Sequence, residues 1–467
     1  MLRPVAGSFE LPAFGRVGAS GRSGLMHQGR GRSWFGFVFP TTGVFRRLPN
    51  AATAGALFSV GVLAGVLSGC APQSGPSARD NQPRTAPTAS APAPVAQSMG
   101  GKVAILLPLS GPLADRGQPM LQAAQLALES GPQLDARDTQ GTPDGAAAAA
   151  RAAIAGGAGL ILGPLTAAET AAVSPIARDA GVPVLAFTNA SSLGQAGVWP
   201  LGITPAQQVK RLVVAAQTQG RSQMAALLPD NDFGQAMAAG LVQATASVGL
   251  PAPVIVMHAP GMGAINTATR EVSGYGSRRG PIDAQIKAAR ALNTAEGRRQ
   301  AQDLARSRIG PPPFDTLLLA DMRDDLQAVA AMLPYYDVDR SQVQIIGPAL
   351  WASPASGSGV MEGAWYAAPD PAQRAALEQS FAARYNTPPP PLADLAFDAA
   401  SIARVLGGRA GFPVSALTQP AGFEGVDGWL ALLPDGQVRR GLAVFKIERG
   451  DPAMIEPAPQ SGSAPGS

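Results

Sequence analysis

One cysteine, Cys70, and two histidines, His27 and His258, are all that this 467-residue sequence offers of the residue types that most often serve as nucleophiles, bases or soft metal ligands. A single thiol forms no internal disulfide, and one Cys with two His cannot build the clusters that hold zinc. The thiol is left as a buried group, a nucleophile or a modification site. A nucleophilic cysteine needs a base to stabilise its thiolate, and both histidines lie far from Cys70 along the chain. Other catalytic signatures are missing. The string Ser356-Gly357-Ser358-Gly359 lacks the spacing of a nucleophile elbow, and none of Lys102, Lys210, Lys287 and Lys446 follows a serine by three positions. Gly101-Lys102 is followed by Val103, so there is no phosphate loop. The sequence thus predicts no catalytic set, no metal site and no cofactor.

What remains is the chemistry of hydrogen-bonded recognition. Three polar loops follow apolar runs in the first half of the chain: Ser110-Gly111-Pro112, Pro164-Leu165-Thr166 and Thr188-Asn189-Ala190-Ser191. In α/β sheets ligands sit beyond the carboxyl ends of strands, where loops and helix N-termini present free N–H groups. Thr166, Thr188 and Ser191 can add hydroxyl donors there. In the second half, Asp230, Asp232 and Asp321 occupy equivalent positions and could face an ammonium group. These same residue types also cap helices and turns. Trp199, Trp351, Trp365 and Trp429 lie at strand-like runs, where aromatics belong to the core more often than to a cleft.

Those loops must be positioned by the elements before them. Lys102 to Pro108 reads as a buried strand followed by the helical LADRGQPMLQAAQLALES, and the runs at 159–163 and 182–187 read as two further strands. After a helix at 205–218, a second series begins at 224–228 and continues at 254–257, 316–319 and 343–346. Apolar runs alternating with helical stretches predict parallel sheets with crossover helices. Two such series predict an α/β fold of two lobes, each a parallel sheet flanked by helices. Lobe 1 is expected at about 101–220 and 367–430 and lobe 2 at about 221–366. Residues 259–313, with GYGSRRG and a long charged helical stretch, break the rhythm and read as an insertion: a solvated face or a partner-binding surface.

The residues around Cys70 explain its position. The basic Phe45-Arg46-Arg47 segment precedes an uncharged apolar run from Ala51 to Leu67, the order of a secretory signal. At about 1.5 Å per residue that run is marginal as a membrane span. Leu67-Ser68-Gly69-Cys70 resembles the lipobox of bacterial lipoproteins, in which the cysteine is acylated and becomes the first mature residue. The resemblance implies a signal peptide within 1–69 and a membrane anchor at Cys70. Ala71 follows, where an Asp would resemble the inner-membrane retention signal, so the outer membrane, on its periplasmic face, is expected, with the inner membrane as the alternative. Residues 70–100, rich in Pro and Ser, read as a disordered tether, and 450–467 as a disordered tail. Removal of 1–69 takes away seven arginines and one acid, so 36 basic and 32 acidic residues become 29 and 31. A nucleic-acid-binding role suggested by the basic full chain therefore fails.

The ordered fragments VAILLPLSGPLADRGQ (103–118), LILGPLTA, VPVLAFTNAS, GITPAQQVKRL, LLPDNDFGQAMAAGL, FDTLLLAD and LAFDAASIA resemble type I periplasmic binding proteins, the Leu/Ile/Val-binding group. PLSGPLADRGQPM, the helical insertion and GFEGVDGWLALLPDGQVRRGLAVFKI (422–447) are similar to the penicillin-binding-protein activator lipoproteins. The helical-repeat N-terminal domain of their best-known enteric members has no counterpart here. The resemblance implies a ligand cleft near Ser110, Thr166, Thr188 and Ser191, opposed by Asp230, Phe233 and Asp321, with Phe233 standing where amino-acid-binding relatives commonly carry Tyr. It implies a non-enzymatic, membrane-anchored partner of a peptidoglycan synthase. The alternative is a receptor that delivers an amino acid or amide to an ABC permease. A direct check is Cys70→Ser: the exported variant is expected to leave the membrane fraction for the soluble one, and continued partitioning with membranes would refute the anchor.

Overall fold

The structure, a computed structural model, describes residues 101–407 and 411–462. Cys70, the lipobox and the tether lie outside the described residues.

Strand β1 (Lys102–Leu107) is buried at every position but its first, as a strand covered on both faces must be. It leads through the Ser110 loop into helix α1 (Ala114–Ala127) and then β2 (Leu134–Asp138), α2 (Pro143–Ala155), β3 (Ala158–Leu162), α3 (Ala167–Asp179), β4 (Val184–Ala186) and β5 (Val198–Pro200). These strands form one parallel sheet, order β2-β1-β3-β4-β5. Thr142 and Thr166 start α2 and α3 by accepting backbone N–H groups, which satisfies donors that the first helical turn leaves open.

The chain crosses at 201–204 into α4 (Pro205–Thr218), β6 (Met224–Pro229), α5 (Asp232–Ser247), β7 (Val254–His258), α6 (Met262–Val272), α7 (Tyr275–Ala291), α8 (Ala295–Arg306), β8 (Thr316–Leu319), α9 (Arg323–Tyr335), β9 (Gln344–Gly347) and β10 (Trp365–Ala368). It returns to the first lobe with α10 (Pro371–Tyr385), α11 (Ala393–Leu406), α12 (Val414–Leu417) and a small antiparallel sheet of β11 (Phe423–Gly425), β12 (Gly428–Leu432) and β13 (Val438–Arg440). A last crossing at 441–442 brings β14 (Ala443–Lys446) and β15 (Ala453–Glu456) back to the second sheet, whose order is β15-β14-β10-β9-β8-β6-β7. The core of lobe 1 joins sheet residues such as Leu162 and Trp199 to α11 and to Leu430 of the small sheet. All four tryptophans named above are buried.

Four expectations need correction. Helix α4, assigned to lobe 1, buries Val209, Leu212 and Val213 against Met224, Leu228 and Trp365 of the second sheet; the helical pattern was correct but could not say which sheet would receive its apolar face. The second sheet is mixed rather than parallel, since β14 and β15 pair antiparallel. The supposed disordered tail from 450 onward contains β15, held where Arg211 pairs with Glu456 at 2.9 Å and donates to the Pro457 carbonyl at 3.2 Å. Finally, the insertion is narrower than 259–313. Helix α6 packs Ile265, Ala268 and Val272 into the sheet core like any crossover helix, and only the α7–α8 hairpin is additional, with its own small core of Ile286, Ala289 and Ala301.

Arg278 ties that hairpin down by donating to the carbonyls of Ser273, Gly310 and Tyr336 at 2.9, 2.7 and 2.7 Å. The two ends of the hairpin therefore meet. Excising 280–307 and joining the ends with a short Gly-Ser linker is expected to lower the midpoint of thermal unfolding by only a few degrees, as loop closure costs little for ends already adjacent. Loss of cooperative unfolding on circular dichroism would show the hairpin to be integral to lobe 2.

Candidate functional site

The carboxyl ends of the parallel strands carry the predicted residues. Beyond β1, Ser110 is exposed, and its hydroxyl donates to Asp138 Oδ2 at 2.6 Å. The backbone amides of Leu109, Ser110 and Gln140 converge on Asp138 Oδ1. Burial acts to raise the Asp138 pKa, but these hydrogen bonds from Ser110, Gln140 and Leu109 outweigh it and hold the carboxyl below its ordinary value.

Beyond β3, Gly163 takes a positive φ of 88°, and a Cβ there would stand 2.3 Å from the Leu106 carbonyl oxygen, so only glycine lets the loop pass. Thr166 then caps α3: its hydroxyl accepts from Glu169 N, and Glu169 Oε2 accepts from Thr166 N at 2.9 Å. Glu169 is fully buried and also accepts from the Thr139 hydroxyl at 2.5 Å, which ties the segment after β2 to the start of α3. Beyond β4, the buried Thr188 accepts from Ala190 N at 3.2 Å. Ser191 is exposed and opens a 3-10 turn.

In lobe 2, Asp230 is exposed, its amide donating to the His258 carbonyl at 2.8 Å and its carboxylate accepting weakly from Gln235 at 3.4 Å. Asn231 caps α5, which begins at Asp232. Half-buried Phe233 packs against the core rather than offering a polar contact. Gly234 is obligatory, since a Cβ would fall 1.9 Å from the Pro229 carbonyl oxygen. Asp321 is buried beneath the cleft surface and meets His258 Nε2 at 3.4 Å, while its carbonyl accepts from Trp351 Nε1.

Sequence reasoning considered His258 only as a partner for Cys70 and left it out of the cleft. The signal was its position at the carboxyl end of an apolar strand. In the structure its Nδ1 faces the Ala259 carbonyl at 3.0 Å and its Nε2 faces Asp321, so the doubly protonated ring satisfies both acceptors. Burial alone would lower its pKa, but Asp321, the Ala259 carbonyl and the Asp325 charge together raise it above the ordinary value. With both nitrogens engaged, the ring is not placed to take a proton from a hydroxyl. Among the described residues, no hydrogen bond joins any two of Ser110, Thr166, Thr188, Ser191, Asp230, Phe233 and Asp321.

Two lobes joined by repeated crossings, with the predicted loops at the carboxyl ends of their strands, form the two-lobed type I periplasmic-binding-protein fold. A family model described as periplasmic binding protein matches residues 101–272. Among solved structures, the C-domain of LpoA from Haemophilus influenzae, described as a regulator of PBP1A, aligns at 15% identity and TM-score 0.54 over 76% of this chain and 99% of that one. Full-length LpoA from the same organism aligns at 15% identity and TM-score 0.55, and the match spans 59% of its length. A branched-chain amino acid ABC transporter periplasmic ligand-binding protein from Burkholderia xenovorans aligns at 15% identity and TM-score 0.52, over 77% of this chain and 93% of that one. No curated protein sequence matches this chain. The resemblance read in the sequence thus holds at the level of fold, and the similar structures are binding proteins or regulators.

The raised pKa of His258 has a definite sign. Protonated His258 stabilises the fold fully below its unfolded value of 6.5, and that contribution is lost as pH rises through the higher folded value. Urea midpoints of the native protein are expected to fall across that window, and those of His258→Gln to fall less steeply, since buried carboxyls such as Asp398 still titrate there. An NMR titration placing the His258 midpoint at or below 6.5 would refute the pairing.

Proposed function

We propose that this chain is a non-enzymatic lipoprotein, anchored through Cys70 to the periplasmic face of the outer membrane, that binds and activates a peptidoglycan synthase. One observation carries the reading: most of the cleft groups suited to gripping an amino acid are used by the loops themselves. The Ser110 hydroxyl donates to Asp138, and the Thr166 and Ala190 amides donate to side chains within their own turns. Asp321, the acid proposed to meet an ammonium group, is buried against His258, and Phe233 has no hydroxyl to offer. A zwitterion needs donors at one end and an acceptor at the other, and unpaired polar groups in a closed site weaken binding. A surface that contacts a protein needs neither.

The likeness to the LpoA C-domain supports the same reading, as does the α7–α8 hairpin. The second reading, a receptor for an amino acid or amide feeding an ABC permease, draws on the exposed Asp230 carboxylate and on the likeness to a transporter ligand-binding protein. A purified bifunctional synthase from the same bacterium, incubated with the lipidated chain in detergent, is expected to co-purify with it and to polymerise glycan at least about 2-fold faster, roughly 0.4 kcal/mol off the barrier. No complex and no change in rate, together with several degrees of thermal stabilisation by one amino acid, would overturn the proposal in favour of the receptor.

A further inference from the structure

A cavity of about 280 Å³ lies beside the crossings, where α4 and α5 of lobe 2 face the β12–β13 turn of lobe 1. Ser191 is the one predicted residue that reaches it. Its walls are held by contacts already in place. Gln207 Nε2 donates to the Val438 carbonyl at 2.6 Å, which joins the two lobes at its rim. Gly436, with φ 88°, lets the turn settle against Gln195, where a Cβ would meet the Gln195 amide at 2.1 Å. Gly240 lets α5 approach Ala206 of α4 closely enough to form the floor.

The charge of this cavity is one-sided. Lys210, Arg439 and Arg440 line it, and none of the lining residues is acidic. Burial and the nearby Arg439 charge both push the Lys210 pKa down, as expected when two cations share one partly dehydrated recess. Arg440 is turned inward to the Leu201 carbonyl, whereas Arg439 is exposed. The side chain of Gln243 adds a neutral donor to the same wall.

We infer that this recess is a binding site for a small anion, a compound bearing a carboxylate or phosphate group, held by Arg439 from lobe 1 and by Lys210 and Gln243 from lobe 2. An anion between these cations relieves their mutual repulsion and makes charge-assisted hydrogen bonds to both. The volume, just below the usual ligand-pocket range of about 300–1,000 Å³, fits a metabolite-sized anion rather than a polymer. Because its walls come from both lobes, a bound anion fastens one lobe to the other. The site shares only Ser191 with the predicted cleft residues and does not depend on the synthase reading.

The test is thermal unfolding of the full chain in inorganic phosphate or in succinate, each against sodium chloride of equal ionic strength. A ligand bound only by the native state raises stability by mass action. The expected result is a rise of about 2 °C or more in one of the two anions, lost in Arg439→Ala and Lys210→Met and kept in Asp230→Asn. Arg439 is exposed, so its variant is expected to fold. General salting effects raise native and variant proteins equally and cancel in the comparison. Loss of the rise in phosphate alone, or in succinate alone, identifies which group the site takes. No rise over chloride in either anion, or an equal rise in Arg439→Ala, overturns the site, whatever the outcome of the synthase experiment.

Discussion

Two buried guanidinium groups brace the crossings between the lobes, each bonded to the carbonyl of a crossing residue that packs in its own lobe's core. Arg440, at the end of β13 in lobe 1, donates to the Leu201 carbonyl of the first crossing through Nε and Nη2, at 3.3 and 2.9 Å. Arg211, on α4 of lobe 2, donates through Nε to the Leu442 carbonyl of the last crossing at 2.8 Å. Taking an arginine out of water costs several kcal/mol unless its donors are met; Arg440 Nη1 meets only the Asp398 charge at 3.8 Å, beyond hydrogen-bond reach. The paths of the first and last crossings rest on these bonds. The same cluster shapes the acids around it. Burial raises the Asp398 pKa to about 7, with Arg440 opposing the rise and Asp427 reinforcing it.

The apolar runs were legible because strands covered on both faces carry a continuous hydrophobic signal: β1, β3, β4, β6, β8 and β9 all fall on them, and the edge strand β7 shows through its apolar VIVM alone. Strand β2, LDARD, was not legible, since it is an edge strand with charged, half-exposed positions. Strand β15 hid for a similar reason, in a stretch whose Pro and Ser content resembles a tail. The lobe that receives α4 is decided by packing, and no local pattern encodes it.

At the cleft, residue types were legible but their partners were not. Ser110 and Asp138 lie 28 positions apart, and His258 and Asp321 lie 63 apart. They meet because parallel strands deliver all their carboxyl ends to one side of a sheet, and β6 sits between β7 and β8. The reading of hydroxyls as ligand donors and the reading of them as caps come from the same atoms. Only the observed hydrogen bonds separate them, and in this protein they favour a loop-to-loop tie at Ser110 and a helix cap at Thr166.

Strand β15 has a consequence for the solubility of the chain. It lies at the border of the second sheet, outside β14, and shields the unpaired edge that β14 would otherwise present. An uncovered edge invites pairing with another molecule. Residues that resemble a dispensable tail thus make the border of the sheet a short strand between Pro452 and Pro457, residues poor at pairing with another chain, and a cut made before Ala453 moves that border inward to β14.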